Sequence, residues 1–291
     1  MAKKATKFLS DELKTRIEIK SLYLKPFDSI VLEGFLIEDL QGDTLLQTPK
    51  LTVDISRFSP IRERKIDLNN IVLEDGRFFL KDYKDTTTNL QFIIDYFSPK
   101  TPQPKSKKEP FDLTLNNISI INMDLRYVNY RSTEKPSFGV NYDDVHLRKF
   151  SGEIRNLDLK NHLFKAQINK LTFQEKSGFI LRDLTAETII DTNSIVLKNL
   201  LLVTPQSRLA NYFSMKFEKF RDFRDFTSKV LMEGRFKDAH LAARDVSFFA
   251  PELASMAISI SANGPIKGRV NSLRARDFEV KGGKATYVKG D

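Results

Sequence analysis

Side chains able to perform acid–base, nucleophilic or metal chemistry are few and scattered in this sequence. Cysteine is absent, which excludes thiol catalysis, disulfides and thiolate metal sites. None of the three histidines, His146, His162 and His240, lies within five residues of another, so they show no metal-ligand spacing. The sequence has no phosphate-binding glycine loop and no nucleophile elbow. We therefore expect no enzyme activity, metal or cofactor, although a catalytic carboxylate pair is an alternative that the sequence leaves open.

The charge balance favours an anionic partner but does not identify one. The chain has 47 Lys and Arg against 38 Asp and Glu, a net charge of +9. Such an excess suits nucleic acid, lipid headgroups or a membrane surface. The basic residues are spread along the chain, however, and aromatic residues interleave with them mainly at 126–131. We expect no nucleic-acid partner, and a polyanion-binding role remains an alternative.

Apolar and polar residues alternate along most of the chain, the pattern of strands with one apolar and one polar face. Phe (23 residues) outnumbers Tyr (8) and Trp is absent, which suits a large dry surface. The pattern predicts a mainly β fold: an elongated, curled antiparallel sheet that forms an open, taco-like trough or repeating groove. The clearest examples of the alternation are residues 17–20, 50–55, 111–115, 212–217 and 257–261.

Helical spacing of apolar residues predicts two short helices within this sheet. An amphipathic helix is expected over 1–15, and a second over 89–97. The predicted trough begins at 16–98, is interrupted by a Pro/Lys-rich loop at 99–110, and continues over 111–291. We expect the chain to be a piece of a longer protein that is cut at both ends.

Three local patterns make further predictions. Asp75-Gly76, between two apolar runs, is typical of a β-hairpin turn. Residues 67–73 resemble residues 114–120, which indicates a repeated strand unit. The phenylalanines at every third position of 217–226 fit either a helical turn or a strand end followed by a turn, and the preceding alternation favours the strand.

The apolar face must be covered or must hold an apolar ligand, because exposed apolar sheets aggregate. A lipid acyl chain is a suitable ligand, since each buried CH₂ contributes about 0.8 kcal/mol. The alternative is that the same residues form the ordinary core of a closed sandwich. The alternation places these candidates on the lining: Leu51, Val53, Ile55, Ile66, Leu68, Phe111, Leu113, Leu115, Leu125, Tyr127, Phe213, Met215, Phe217, Ile258 and Ile260.

Several segments, in this order, resemble the N-terminal periplasmic part of the TamB branch of the AsmA-like family. The most distinctive is Glu38-Asp39-Leu40-Gln41-Gly42-Asp43-Thr44-Leu45-Leu46. The other matching segments are residues 5–13 leading into 17–19, residues 88–94, residues 248–253 and residues 264–270.

The resemblance implies a location in the periplasm of a Gram-negative cell, with the full-length protein anchored in the inner membrane. It implies phospholipids as ligands, conducted between the inner and outer membranes, and an Omp85-type outer-membrane partner. The anchor and the partner-binding C-terminal region are both outside this sequence. It also implies an alternative function, a chaperone-like module that assists outer-membrane protein assembly by strand pairing. The family has no catalytic residues to transfer.

Overall fold

The fold is known from a computed structural model, which describes residues 1–25, 29–57, 65–84, 87–97, 112–132, 136–159, 163–255, 259–275, 278–282 and 286–290. The mainly β prediction is confirmed: sixteen strands form one mixed sheet, with an N-terminal helix and a few short helices. The chain divides into two compact units. Unit 1 comprises Met1–Glu134 and Asp143–Ser151, and unit 2 comprises Lys135–Tyr142 and Gly152–Asp291.

Unit 1 contains the N-terminal helix and the first strands. In chain order its elements are α1 (Ala2–Leu13), β1 (Ile17–Glu18), β2 (Ser21–Lys25), β3 (Ser29–Glu38), β4 (Thr44–Arg57), β5 (Lys65–Glu74), β6 (Arg77–Asp82), α2 (Gln91–Phe97) and β7 (Asp112–Asn129). Strand β8 (Asp144–Asp158) begins in unit 1 and ends in unit 2.

Unit 2 contains the remaining strands and the short helical segments that follow two of them. Its elements are β9 (Phe164–Glu175), β10 (Ile180–Leu181), β11 (Asp183–Ile190), β12 (Ser194–Val203), β13 (Arg208–Lys216), a 3₁₀ helix (Phe220–Asp225), α3 (Phe226–Lys229), β14 (Leu231–Ala242), α4 (Ala243–Val246), a 3₁₀ helix (Pro251–Leu253), β15 (Ser259–Gly268), a 3₁₀ helix (Val270–Ser272), β16 (Arg274–Ala275), β17 (Phe278–Gly282) and β18 (Thr286–Gly290).

The expectation of a wholly antiparallel sheet is wrong at one place in unit 1. Strands β3, β4 and β5 pair antiparallel, as predicted, but β7 pairs parallel with both β5 and β6. The chain returns to the same end of the sheet between β6 and β7, and a crossover of that length permits parallel pairing where a tight turn would not. The sheet is therefore mixed.

The hairpin predicted at Asp75-Gly76 is also wrong. Strands β5 and β6 run in the same direction along β7, and Asp75 adopts a left-handed conformation (φ 54°) at the break between them. A two-residue hairpin of the Asp-Gly type needs positive φ at both central residues, and Gly76 is not among the positive-φ residues. The glycine is needed for a different reason: an added Cβ would lie 2.5 Å from the Gln47 carbonyl oxygen.

The repeat of 67–73 at 114–120 is explained by the parallel pairing. Asp67 pairs with Thr114 and Leu68 with Leu115, so the similar segments lie side by side in register. A side-chain hydrogen bond also links two equivalent positions of the repeat. Asn122 Nδ2 donates to the Asp75 carboxylate over 2.7 Å, and the two residues are 47 positions apart in the sequence. A repeat offset that equals the pairing offset places similar residues next to each other across the two strands.

Two helices pack on the apolar face of unit 1. Helix α1 contributes Leu9 and Leu13, and the α2 region contributes Leu90 and Ile93, to a core around the buried Leu45. The two predicted helices are thus confirmed, with slightly different ends. They cover the part of the face that belongs to β3 and β4.

Unit 2 is an antiparallel meander in the order β9, β11, β12, β13, β14, β15 and β16. Residues with left-handed backbone interrupt its long strands, at Lys170 in β9, Asn199 in β12 and Asp238 in β14. At Asn199 and Asp238 the pairing register shifts, which marks a β-bulge. Each bulge adds one residue, so the apolar side chains after it return to the same face as those before it.

The favoured reading of residues 217–226 is wrong beyond Phe217. The chain forms a 3₁₀ helix from Phe220 and then α3, so the helical alternative holds. Phe223 packs edge-on against Phe217, with ring centroids 5.0 Å apart. Asp222 stabilises the start of this turn, since its carboxylate accepts the backbone N–H groups of Glu218 and Lys219.

Gly76→Ala is expected to reduce the free energy of unfolding by about 1–3 kcal/mol, because the added methyl group meets backbone that has to shift. Gly42→Ala is the comparison, since nothing lies within 4 Å of an added Cβ there and only its positive φ is strained. Chemical denaturation of both variants measures the difference. Equal losses of unfolding free energy in the two variants would show that the close approach of the Gln47 carbonyl does not determine the need for glycine at position 76.

Candidate functional site

The predicted lining residues of unit 1 share one face of the sheet. Two rows of apolar side chains cross the strands in direct register: Ile30, Val53, Ile71 and Ile118 form one, and Leu32, Leu51, Leu73 and Ile120 form the other. Leu51 is buried and Val53 packs in the core beneath the helices. This part of the predicted lining is therefore helix-covered core.

The same face is less covered along β7, apart from the buried Met123. Leu115, Leu125 and Tyr127 are half-buried, as is Leu68, which pairs with Leu115. The opposite face of these strands is polar, since Lys50 and Glu74 form an ion pair there and Ile121, beside Glu74, is 47% exposed. Strand β7 thus presents a half-buried apolar face and a solvated polar face.

Tyr127, the lining candidate with a polar group, has a partner for its hydroxyl. It contacts the Asp82 carboxylate at 3.4 Å, and Asp82 also pairs with Arg131. Burial, followed by the nearby negative charges of Asp82 and Asp143, raises the pKa of Tyr127. The phenol therefore stays neutral and anchors the polar end of an otherwise apolar row.

Not every candidate can be located. Phe111 and Ile258 lie outside the described residues, and the positions of Ile55, Ile66 and Leu113 are given by their backbones alone. Ile66 pairs in register with Leu113, and Ile55 with Leu68, as expected for neighbours on one face.

In unit 2 the candidates surround two apolar clusters. Phe213 stacks on Phe236 with ring centroids 6.3 Å apart, and Met215 pairs in register with Met232. Phe217 is buried with Phe223, while Ile260 pairs with Leu241 at the other end of β14. Phe213, Met215, Leu241 and Ile260 are all half-buried, whereas Phe217 is buried.

Residues 136–142, called here the strap, pack on the clusters of unit 2. Phe138 stacks on Phe248 with centroids 5.9 Å apart, and the Val140 N–H donates to the Phe248 carbonyl at 2.9 Å. Tyr142 packs against the cluster that contains Phe217 and Met215. The alternation in the sequence gave no signal for this cover, because the strap has no regular secondary structure.

Tyr142 brings a hydroxyl into that apolar cluster without a hydrogen-bond partner among the described residues. Burial raises its pKa to about 12. A buried phenol usually finds a partner, and leaving one unpaired costs stability. The strap is therefore held by packing and by its backbone hydrogen bond, with a polar group left unsatisfied beneath it.

The structure also assembles a polar cluster that sequence reasoning did not predict. Asp39, in the β3–β4 turn, is buried and accepts the backbone N–H groups of Gln41 and Asp43 and side-chain donors from Tyr83 and Asn89. Lys81, only 4% exposed, forms ion pairs with Asp39 and Asp43. The sequence feature that could have indicated this cluster is the Glu-Asp-x-x-Gly-Asp segment, because its two aspartates are the ion-pair partners of Lys81.

The surroundings of Asp39 determine its ionisation. Burial alone would raise its pKa, but the hydrogen bonds from Asp43 and Asn89, the charge of Lys81 and the hydrogen bond from Tyr83 together lower it below the usual value. Burial and the neighbouring Asp39 charge raise the pKa of Tyr83. The carboxylate is thus charged and the phenol neutral throughout the physiological range.

Among the described residues, no three His, Asp or Glu side chains are grouped so that they could hold a metal ion. No helix in the described ranges is both long and apolar enough to cross a membrane.

Comparison with known proteins adds no relative to this description. The chain matches no protein-family model, and no curated protein matches it at a significant level.

Tyr142→Phe is expected to raise the free energy of unfolding by about 1 kcal/mol, because it removes an unpaired buried hydroxyl while keeping the ring. Tyr83→Phe is the matched control and is expected to lower it by about 1–2 kcal/mol, since its hydroxyl donates to Asp39. Both are measured by chemical denaturation. A less stable Tyr142→Phe variant would mean that the hydroxyl has a partner.

The stability contributed by Asp39 is expected to depend on pH. A carboxyl group whose pKa is lowered by folding stabilises the protein above its unfolded pKa of about 4, and this contribution is lost as the pH falls through the folded pKa. Asp39→Asn should therefore lower Tm at pH 7, with a deficit that narrows below about pH 4. Thermal unfolding of the variant and the wild type across this pH range measures the difference in Tm. A difference that does not change with pH would contradict a lowered pKa of Asp39 in the folded protein.

Proposed function

We propose that the apolar sheet face binds phospholipid acyl chains and conducts them passively across successive strands of the sheet. The observation that carries this proposal is the apolar row Leu32, Leu51, Leu73 and Ile120, which passes in register from helix-covered core to the half-buried face of β7. Apolar surface that is continuous across strands and less covered at one side suits a long, flexible apolar ligand.

The energetics favour a chain-like ligand. Transfer of about a dozen CH₂ groups from water to such a face would contribute on the order of 10 kcal/mol. A row of neighbouring strands offers similar sites at intervals of about 4.8 Å, so a chain can shift from one to the next at little cost. The polar headgroup would stay in solvent at the open edge of the sheet.

In unit 2 the proposal gives the strap a role. An acyl chain that contacts Phe213 and Met215 competes with Tyr142 for the same cluster. Displacing Tyr142 costs packing but returns its unpaired hydroxyl to water, which offsets part of that cost. The strap then fills the face when lipid is absent and leaves when lipid enters.

The wider setting of the proposal comes from the sequence resemblance alone. It would make the full-length protein a periplasmic, inner-membrane-anchored and non-enzymatic bridge for phospholipid transfer and outer-membrane biogenesis. An Omp85-type partner would bind through a C-terminal region beyond this sequence. Chaperone-like strand pairing is the competing function.

Ile120→Asp is expected to reduce lipid that copurifies with the protein several-fold, because a carboxylate on the apolar face must be desolvated when an acyl chain covers it. The neighbouring Ile121→Asp is the matched control, since Ile121 lies on the polar face and is already 47% exposed. Mass spectrometry of extracted lipid, with a mock purification for comparison, measures both, and circular dichroism checks that each variant is folded.

Two outcomes would reject the proposal. Equal lipid yield from Ile120→Asp and the wild type would show that lipid does not bind to the apolar face of β7. Lipid no higher than in the mock purification would instead favour strand pairing, which binding of outer-membrane strand peptides would then test.

A further inference from the structure

A cleft of about 480 Å³ lies in unit 1, apart from the apolar rows, at the polar cluster around Lys81. Its walls come from the β3–β4 turn, the end of β6 and the residue that follows β7. It is lined by Gln41, Asp43, Lys81, Tyr83, Lys84 and Tyr130. The volume is within the range of small-molecule sites, and the cleft is wide open to solvent.

The floor of the cleft is held in a fixed geometry by buried groups. The side-chain oxygen of Asn89 accepts the backbone N–H of Lys81 at 2.8 Å. The side-chain nitrogen of Asn89 donates to the Phe79 carbonyl at 2.8 Å and to the Asp39 carboxylate at 3.2 Å. Tyr83 donates to Asp39 at 3.1 Å and contacts Gln41 Oε1 at 3.0 Å. The network orders the floor beneath a ligand, which reduces the entropy cost of binding, while Lys84 and Tyr130 lie outside it.

Several polar groups of the lining are left uncommitted by this network. One carboxylate oxygen of Asp43, the Gln41 amide nitrogen, the Lys84 ammonium and the Tyr130 hydroxyl have no hydrogen-bond partner within the described parts of the chain. The set combines an acceptor, donors and a hydroxyl that can act as either. Such a set fits a ligand that both donates and accepts hydrogen bonds.

The charges of the cleft disfavour ions of either sign. Lys81 and Lys84 balance Asp39 and Asp43, so the formal charges cancel. A cation placed on Asp43 would approach the Lys81 ammonium, which already pairs with that carboxylate. An anion placed on Lys84 would share the cleft with Asp43, whose side chain is 62% exposed. A neutral ligand avoids both repulsions.

Two tyrosine rings add a flat apolar wall. Tyr83 and Tyr130 lie nearly parallel, 13° apart, with ring centroids separated by 6.3 Å. Tyr130 is 45% exposed, so part of this wall is open to a ligand. The C–H face of a sugar ring packs on an aromatic wall while its hydroxyl groups donate and accept at the ring edge.

From these features we infer that the cleft binds a neutral saccharide of one or two hexose rings, packed on Tyr130 and hydrogen-bonded to Asp43, Gln41 and Lys84. The site is distinct from the proposed lipid face, and soluble sugars test it without lipid. Failure of either proposal therefore leaves the other standing.

The test uses cellobiose, maltose and N,N′-diacetylchitobiose as neutral probes, with glucuronate and phosphocholine as charged probes of similar polarity. Saturation-transfer NMR detects contact and titration calorimetry measures affinity. We expect at least one neutral disaccharide to bind with Kd of about 1 mM, and neither charged probe to bind as tightly.

Variants locate the binding. Tyr130→Ala should weaken it about tenfold by removing the packing surface, whereas Tyr130→Phe should largely restore it. Tyr23→Ala, which removes a tyrosine of similar exposure (39%) outside the cleft, should leave affinity unchanged. The inference is overturned if no neutral probe binds, if a charged probe binds more tightly, or if Tyr130→Ala binds like the wild type.

Discussion

The structure depends on keeping most apolar side chains of a long strand on one face. Strand β7 alone has 18 residues. Because the sheet twists, a strict alternation of apolar and polar residues over such a length has to be adjusted to keep the apolar residues on one face. The chain does so with residues in the left-handed region: Asn122 in β7, Asn199 in β12 and Asp238 in β14. Asn and Asp tolerate this conformation better than most residues. At each of these points the spacing between apolar residues is three instead of two, and the face remains continuous.

The two units complete that face in different ways. In unit 1, α1 and α2 cover the strands nearest the N-terminus and leave β7 half-buried. In unit 2 the cover consists of the strap, the helical turns that follow β13 and the aromatic residues after α4. Continuous helices give a permanent core, since their removal would expose many apolar side chains at once. The strap has no regular secondary structure, and in the lipid-binding proposal it is the part of the cover that an acyl chain displaces.

The polar cluster around Lys81 shows the opposite solution to burial. A buried ammonium is tolerated because two carboxylates and an ordered set of hydrogen bonds replace its water. That arrangement fixes the β3–β4 turn against the end of β6 and leaves a charge-balanced cleft beside stacked tyrosines. The two binding proposals therefore rest on different physics, desolvation for the apolar face and directional hydrogen bonding for the cleft.

The sequence by itself determined the mainly β class, the positions of α1 and α2 and the face on which residues such as Leu51 and Phe213 lie, because these follow from local periodicity. It did not determine the parallel pairing of β5 and β7, since pairing direction is set by contacts between distant segments. The break at Asp75-Gly76 was misjudged for the same reason: the neighbouring strands, and not the dipeptide, fixed its geometry. Likewise, the partners of Lys81 and the strap over Met215 join residues far apart in the chain. No spacing rule relates such residues, so only the tertiary structure decided which of them meet.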